Sequence, residues 1–134
     1  MIPTAVEEFL RRHGVSATSR VITTGFERKG ARLMPGDMAM VPSILAGLDD
    51  RRYPHPMEID LDRPTAPHAT FGNGPHKCLG QYLARMELQI FLEEWLRRMP
   101  NVRLDPRLPP VTEAGPVSKL TRLNLLWGPS ARAA

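Results

Sequence analysis

Apolar side chains recur at helical spacing in two parts of the chain. In residues 3–13, Ala5, Val6, Phe9 and Leu10 form one apolar stripe, a proline stands in the first turn and a glycine follows the last. In residues 79–99 a similar stripe continues for about six turns until Pro100 ends it. The second stripe consists of Leu79, Leu83, Met86 and Ile90, with Phe91 and Trp95 alongside. The pattern therefore predicts two helices, of which the second is the longest element of the chain.

Short β-branched and apolar runs separated by turn residues predict strands between and after these helices. Residues 20–24, 31–34 and 38–41 favour a small antiparallel meander with a turn at Lys29-Gly30. Residues 43–48 favour one or two helical turns, and the four prolines of residues 49–68 predict an irregular meander. Residues 102–104 and 120–127 read as strands of a hairpin-like C-terminal unit. The fold class predicted is α+β.

Composition places the chain among globular proteins with a limited core. It has 134 residues, of which 42% are hydrophobic and 24% charged, and its 14 prolines and 10 glycines indicate a loop-rich structure. The single cysteine excludes an internal disulfide and suits a reducing compartment. No apolar run approaches the roughly 20 residues of a membrane span, and no secretory signal is visible. We therefore expect a cytoplasmic protein that does not associate with membranes.

The net charge of +4 comes from 18 basic and 14 acidic residues. The arginines fall in pairs with acidic residues close by, whereas a nucleic-acid binder clusters its cations with aromatic residues. This pattern favours a solvated surface, with docking of an acidic protein partner as the sharper alternative. We expect no nucleic-acid partner.

The only cysteine lies in a glycine-rich stretch, residues 71–80, directly before the long predicted helix. Unpaired N–H groups at a helix start favour a thiolate there. A phosphate-binding glycine loop is excluded because Lys77 occupies its last glycine position, and a zinc site is weak because His13, His55 and His68 show no ligand spacing to the thiol. An axial thiolate on haem iron needs only one cysteine, since the porphyrin supplies the other four in-plane ligands.

The pattern Phe-x-x-Gly-x-x-x-Cys-x-Gly, present as Phe71, Gly74, Cys78 and Gly80, resembles the haem-binding signature of the cytochrome P-450 superfamily, the haem-thiolate monooxygenases. Residues 8–11 resemble the Glu-x-x-Arg element of the same family. The resemblance covers nearly the whole chain and is closest to bacterial members of the camphor-hydroxylase type. It implies the C-terminal part of that mainly helical fold: helix, small antiparallel sheet, irregular meander, cysteine-ligand loop, long helix and C-terminal β-hairpin.

The resemblance also implies a role for each residue of the site. Cys78 is expected to be the catalytic axial ligand of haem b, His76 and Arg20 to hold its propionates, and Phe71 to shield the sulfur. The backbone around the cofactor is expected to include Gly72, Gly74, Leu79 and Gly80. Spacing alone makes Glu8 and Arg11 a surface pair, but the resemblance implies a buried structural pair joined by Arg63. Lower-ranking expectations place Val15, Ser16 and Val117 in the substrate pocket and Lys77 and Arg85 on a redox-partner face, with ordinary surface charge as the alternative for the last two.

The activity implied is insertion of one atom of O₂ into a hydrophobic small molecule, with electrons from an iron–sulfur ferredoxin. The acid–alcohol helix of the distal pocket and the N-terminal region have no counterpart here, so we expect residues 1–134 to form a single proximal part with little or no activity by itself. The alternative hypothesis is a non-catalytic haem- or partner-binding fragment that self-associates through the apolar surface it leaves open.

Overall fold

The computed structural model describes residues 1–64 and 67–128. Its helices are α1 (Ile2–Arg12), α2 (Ser43–Gly47) and α3 (Gln81–Arg98), with a single 3-10 turn at Gly74–His76. Its strands are β1 (Ala17–Val21), β2 (Phe26–Arg28), β3 (Ala31–Leu33), β4 (Met38–Pro42), β5 (Arg103–Leu104), β6 (Val111–Glu113), β7 (Lys119–Arg122) and β8 (Leu125–Leu126). The two predicted long helices are confirmed, each within two residues of its predicted ends.

The buried centre of the structure lies along α1. Ala5 and Val6 are buried there with Glu8 and Arg11, and α1 packs against both α2 and α3. Gly47, the last residue of α2, makes this close packing sterically feasible, since a Cβ added to it would lie 2.1 Å from the Arg11 carbonyl oxygen. A side chain at this position is therefore incompatible with the observed distance between the two helices.

The N-terminal strands form two nested antiparallel pairs rather than the predicted consecutive meander. β1 pairs with β4, from Ala17 opposite Pro42 to Val21 opposite Met38, and β2 pairs only with β3. Lys29 and Gly30 have φ angles of 50° and 80°, the left-handed geometry of a tight hairpin turn. The chain reverses at this turn and runs back beside the preceding strands, so β4 pairs with β1. β1 also begins earlier than predicted, because its partner β4 extends to Pro42.

The C-terminal unit repeats this nesting, with β5 paired to β8 and β6 to β7. The predicted strand over residues 120–127 is divided between β7 and β8, and the prediction did not include β6. The division follows from pairing, because the two halves lie against different partners.

Much apolar surface of the chain is exposed. The solvent-accessible area is 10,479 Å², whereas a compact monomer of 15.0 kDa exposes roughly 7,000 Å². Along α3 only Gln81 is buried, while Leu83, Met86, Ile90 and Phe91 are all exposed. The predicted apolar stripe of this helix thus lies at the surface, because most of it has no neighbouring element among the described residues.

Candidate haem site around Cys78

The loop that carries Cys78 is closed by backbone hydrogen bonds. The Cys78 N–H donates to the Phe71 carbonyl (2.9 Å), and the Lys77 N–H donates to the Gly74 carbonyl (3.1 Å). Gly72 and Gly74 have φ angles of 73° and 69°, a region that L side chains enter at a cost. These contacts fold the loop back on itself and present the exposed thiol just before the start of α3.

A cleft of about 560 Å³ opens beside this loop. The cysteine loop contributes Phe71, Gly72, His76 and Cys78 to its lining, and β1 contributes Arg20. The remaining lining residues are Ser16, Thr18, Val41, Pro42, Ser43, Ala46, Ala69, Thr70 and Asn73. The tertiary structure therefore brings together five of the eight residues expected around the cofactor, from segments about 50 residues apart in the chain.

The other three expected cofactor residues lie outside the lining of this cleft. Leu79 is 97% exposed and Gly74 has open space where a Cβ would stand. At Gly80 an added Cβ would lie 3.9 Å from the Cys78 sulfur, an ordinary van der Waals contact. The structure thus places Gly80 beside the thiol rather than in the cleft.

The side chains that line the cleft fit a metal ion that is already coordinated by a macrocycle such as a porphyrin. The cleft offers one thiol, the cationic Arg20 and the ring nitrogens of His76, together with the apolar surface of Phe71. Among residues 1–64 and 67–128, no group of three or more histidine, cysteine or carboxylate side chains could hold a metal ion by itself. An iron porphyrin requires one soft ligand for the iron and a cation for its acidic substituents, and Cys78 and Arg20 can supply these.

Glu8 and Arg11 form a buried ion pair beneath the meander. They are 5% and 2% exposed, and the Arg11 guanidinium donates to both carboxylate oxygens of Glu8 at 2.7 Å. The surface pair that spacing alone favours is therefore not what the chain adopts. Burial by itself raises the pKa of Glu8, but hydrogen bonds from Arg11, the Asp60 N–H and Arg63 outweigh it and lower that pKa to about 2. Glu8 is consequently ionised at any pH near neutral.

Arg63 ties the irregular meander to this pair. Its Nε donates to Glu8 Oε1 (3.2 Å) and its Nη1 donates to the Pro54 carbonyl (2.8 Å). Arg11 reaches the same segment through the carbonyls of Pro56 (2.8 Å) and Glu58 (3.0 Å). Residues 49–64, the part of the meander described before its gap, contain no strand, so these two guanidinium groups supply part of the partners that their backbone carbonyls need.

A second network, which the sequence reasoning did not identify, joins Glu7 to Arg85 and His68. Arg85 donates to both oxygens of Glu7, and His68 Nε2 lies 3.2 Å from Glu7 Oε2. Arg85 was expected to face a redox partner, but it is partly buried and already paired within the chain. Lys77 is exposed beside the cysteine. No spacing rule links positions 7, 68 and 85, so only the fold reveals this cluster.

The three residues expected in the substrate pocket lie together. Ser16 and Val117 form an isolated antiparallel bridge, and the Val15 carbonyl accepts a hydrogen bond from the Ser118 N–H (2.8 Å). Val15 and Val117 are exposed, and Ser16 also lines the cleft of Cys78. Of the three, only Ser16 lines the cleft, and its bridge to Val117 joins the N-terminal and C-terminal halves of the chain next to it.

Comparison with known proteins identifies the family. The family model described as "Cytochrome P450" matches residues 1–118, so the chain belongs to the cytochrome P450 family. It is 37% identical over 123 residues to the probable cytochrome P450 127A1 of Sinorhizobium fredii, covering 92% of this chain and 30% of that protein. It is 36% identical over 133 residues to the steroid C26-monooxygenase of Mycobacterium tuberculosis, covering 97% of this chain and 36% of that protein.

Solved structures agree with this assignment. The crystal structure of cytochrome P450 CYP101C1 superposes with a TM-score of 0.87 at 39% identity, over 95% of this chain and 33% of that one. The predicted family and fold class are thus confirmed, and members of this family bind haem b. The chain spans about a third of the length of these relatives. No helix in the described parts of the chain is long and apolar enough to cross a membrane.

Proposed function

We propose that residues 1–134 form the proximal part of a haem-thiolate monooxygenase, in which Cys78 is the axial ligand of haem b. The observation that carries this proposal is the cleft in which Cys78, His76 and Arg20 meet. Bound there, the haem supplies the iron at which O₂ is activated, and a thiolate ligand favours cleavage of the O–O bond. The residues of this chain position and hold the group.

Each side chain of the cleft has a physical task in this proposal. Arg20 Nη1 donates to the neighbouring Ser19 carbonyl (2.8 Å), and its other N–H groups are available to pair with a propionate. His76, the last residue of the 3-10 turn, donates to an acidic substituent from the loop that carries Cys78. Phe71 lines the cleft beside Cys78, so with haem bound it would shield the sulfur from water and lower the local dielectric, which strengthens the pairing of Arg20 with a propionate.

For the whole protein we propose insertion of one oxygen atom into a hydrophobic small molecule. Two relatives support this class, since the names of the steroid C26-monooxygenase and of a vitamin D3 dihydroxylase both refer to hydrophobic small molecules. An iron–sulfur ferredoxin is the proposed electron donor, and exposed Lys77 beside the cysteine loop offers it a cation. We also propose that the protein is cytoplasmic, because a free thiol such as that of Cys78 is typical of a reducing compartment.

The direct test is haem titration of the chain. In the wild type, haem should bind with a thiolate-type Soret band that shifts to the red in the reduced carbon monoxide complex. Cys78→Ala should abolish that band, and Arg20→Gln should weaken haem binding while Arg28→Gln, on exposed β2, should not. A wild-type spectrum identical to that of Cys78→Ala would refute haem ligation by this chain.

A second candidate role, self-association without catalysis, is favoured by the open apolar face of α3. Exposed apolar surface on this scale is typical of an interface. Sedimentation velocity should show oligomers that dissociate when Ile90 and Phe91 are both replaced by lysine. A compact monomer at all concentrations would exclude this role.

A further inference from the structure

One carboxylate, that of Glu7, holds both flanks of the cysteine loop. Arg85 of α3 donates from Nη2 to Glu7 Oε2 (3.1 Å) and from Nε to Oε1, while His68 Nε2 lies 3.2 Å from Oε2. His68 precedes the loop and Arg85 follows it, and Glu7 stands on α1, outside it. The two ends of the loop are therefore held by the same carboxylate.

The two side chains held by Glu7 also flank the first residue of the loop. The Arg85 guanidinium lies 4.8 Å from the centre of the Phe71 ring, and the His68 ring centre lies 6.3 Å from it. The Phe71 carbonyl in turn accepts the Cys78 N–H (2.9 Å). A continuous set of contacts thus leads from Glu7 through Phe71 to the backbone of Cys78.

The protonation state of His68 follows from its partners. The Thr70 N–H donates to His68 Nδ1 (3.3 Å), so Nδ1 carries no proton and Nε2 donates its proton to Glu7. The His68 side chain is 2% exposed. The charged groups that face it are Glu7 and Arg11 from α1 and Arg85 from α3. Burial lowers the pKa of His68, which keeps this neutral form at neutral pH.

We propose that Glu7 is a positioning residue that clamps the cysteine loop at both flanks, through His68 and Arg85, and thereby fixes the place of the Cys78 sulfur. This role is separate from that of the neighbouring Glu8, whose contacts lead to the meander instead of the loop. The consequence for haem ligation depends on the proposed function, whereas the placement of the loop does not.

Amide hydrogen exchange of the full chain without haem tests the clamp. Glu7→Gln should lower the protection of the Cys78 N–H about tenfold, equal to about 1.4 kcal/mol of local opening free energy, because an ionic anchor is lost. Glu94→Gln is the matched control, since Glu94 also accepts from two arginines but lies at the far end of α3. Protection of α3 amides such as Leu92 reports the stability of the helix that carries Arg85 in both variants.

Two further measurements separate the clamp from a general loss of stability. Arg85→Lys keeps the charge opposite Glu7 but loses the planar group over Phe71, so it should lower Cys78 protection without lowering that of Leu92. In the haem-loaded chain, Glu7→Gln should reduce the thiolate-type fraction of the carbon monoxide spectrum relative to Glu94→Gln.

The outcomes are distinguishable. Cys78 protection within twofold of the Glu94→Gln control for both Glu7→Gln and Arg85→Lys would overturn the clamp. If Glu7→Gln unfolds the chain, the Arg85→Lys variant alone is the test. Cys78 protection within twofold of the control in that variant overturns the clamp, and a larger loss supports it. A wild-type chain that gives no thiolate-type band would refute the proposed function, while the exchange data would still support or overturn the clamp.

Discussion

Replacement of Arg11 by lysine tests how the centre of the structure is held. All five N–H donors of the Arg11 guanidinium are in use. Nε and Nη2 donate to the two oxygens of Glu8, Nη1 donates to the carbonyls of Gly47 (2.6 Å) and Pro56 (2.8 Å), and Nη2 donates again to the Glu58 carbonyl (3.0 Å). The residue is 2% exposed, so water does not replace a lost donor at this position.

The expected cost follows from the count of donors. Lysine has three N–H groups, so at least two of the five acceptors lose their partner. Each buried acceptor left unpaired costs about 1–3 kcal/mol, and the carbonyls of Pro56 and Glu58 are only partly buried, so we expect about 2–4 kcal/mol of lost stability in Arg11→Lys. The charge is conserved, which attributes the loss to hydrogen-bond geometry.

Urea unfolding followed by far-UV circular dichroism measures this loss, at a concentration where sedimentation shows one species. Arg12→Lys is the matched control, because the adjacent Arg12 makes a single exposed hydrogen bond, to the Met57 carbonyl (2.9 Å). The control should lie within about 0.5 kcal/mol of the wild type. An Arg11→Lys variant as stable as Arg12→Lys would refute the account of the buried network.

Three other substitutions test single features. The pKa of Glu8 in the folded chain, about 2, lies below its ordinary value of 4.5, so the stability that ionised Glu8 contributes is complete above pH 4.5 and is lost as the pH falls toward 2. This contribution amounts to about 3 kcal/mol. Glu8→Gln should therefore flatten the acid limb of the plot of stability against pH. Gly47→Ala should cost about 1–3 kcal/mol in urea unfolding, because its Cβ meets the Arg11 carbonyl. Tyr53→Phe should cost about 1 kcal/mol, since the Tyr53 hydroxyl donates to the Pro67 carbonyl (2.6 Å).

Each of these has a control and a contrary outcome. An unchanged acid limb in Glu8→Gln would show that the pair with Arg11 does not control acid stability. Gly115→Ala is the control for Gly47→Ala, because its Cβ would meet only an ordinary contact at 3.6 Å; equal stability of the two variants would contradict the close packing of α1 and α2. For Tyr53, a Phe variant as stable as the wild type would indicate that the ring alone holds the meander.

The sequence was sufficient for features that depend on local signals. Period and capping residues predicted α1 and α3 within two residues at each end, and the ten-residue pattern around Cys78 identified the family. The turn at Lys29-Gly30 was also predicted correctly, because a left-handed pair of residues is a local requirement. The pairing of the strands was not predicted correctly, since the partner of β1 depends on where the chain returns after the hairpin.

The chemistry of the site divides in the same way. One cysteine with glycines at fixed spacing is a short-range property, and the prediction of an axial thiolate rests on it. The contacts of Arg85 are long-range, because they join residues 7, 68 and 85, and a charge that looks free in the sequence is paired in the fold. The exposed stripe of α3 shows the converse, since periodicity reports which face is apolar but only the packed structure shows whether anything covers it.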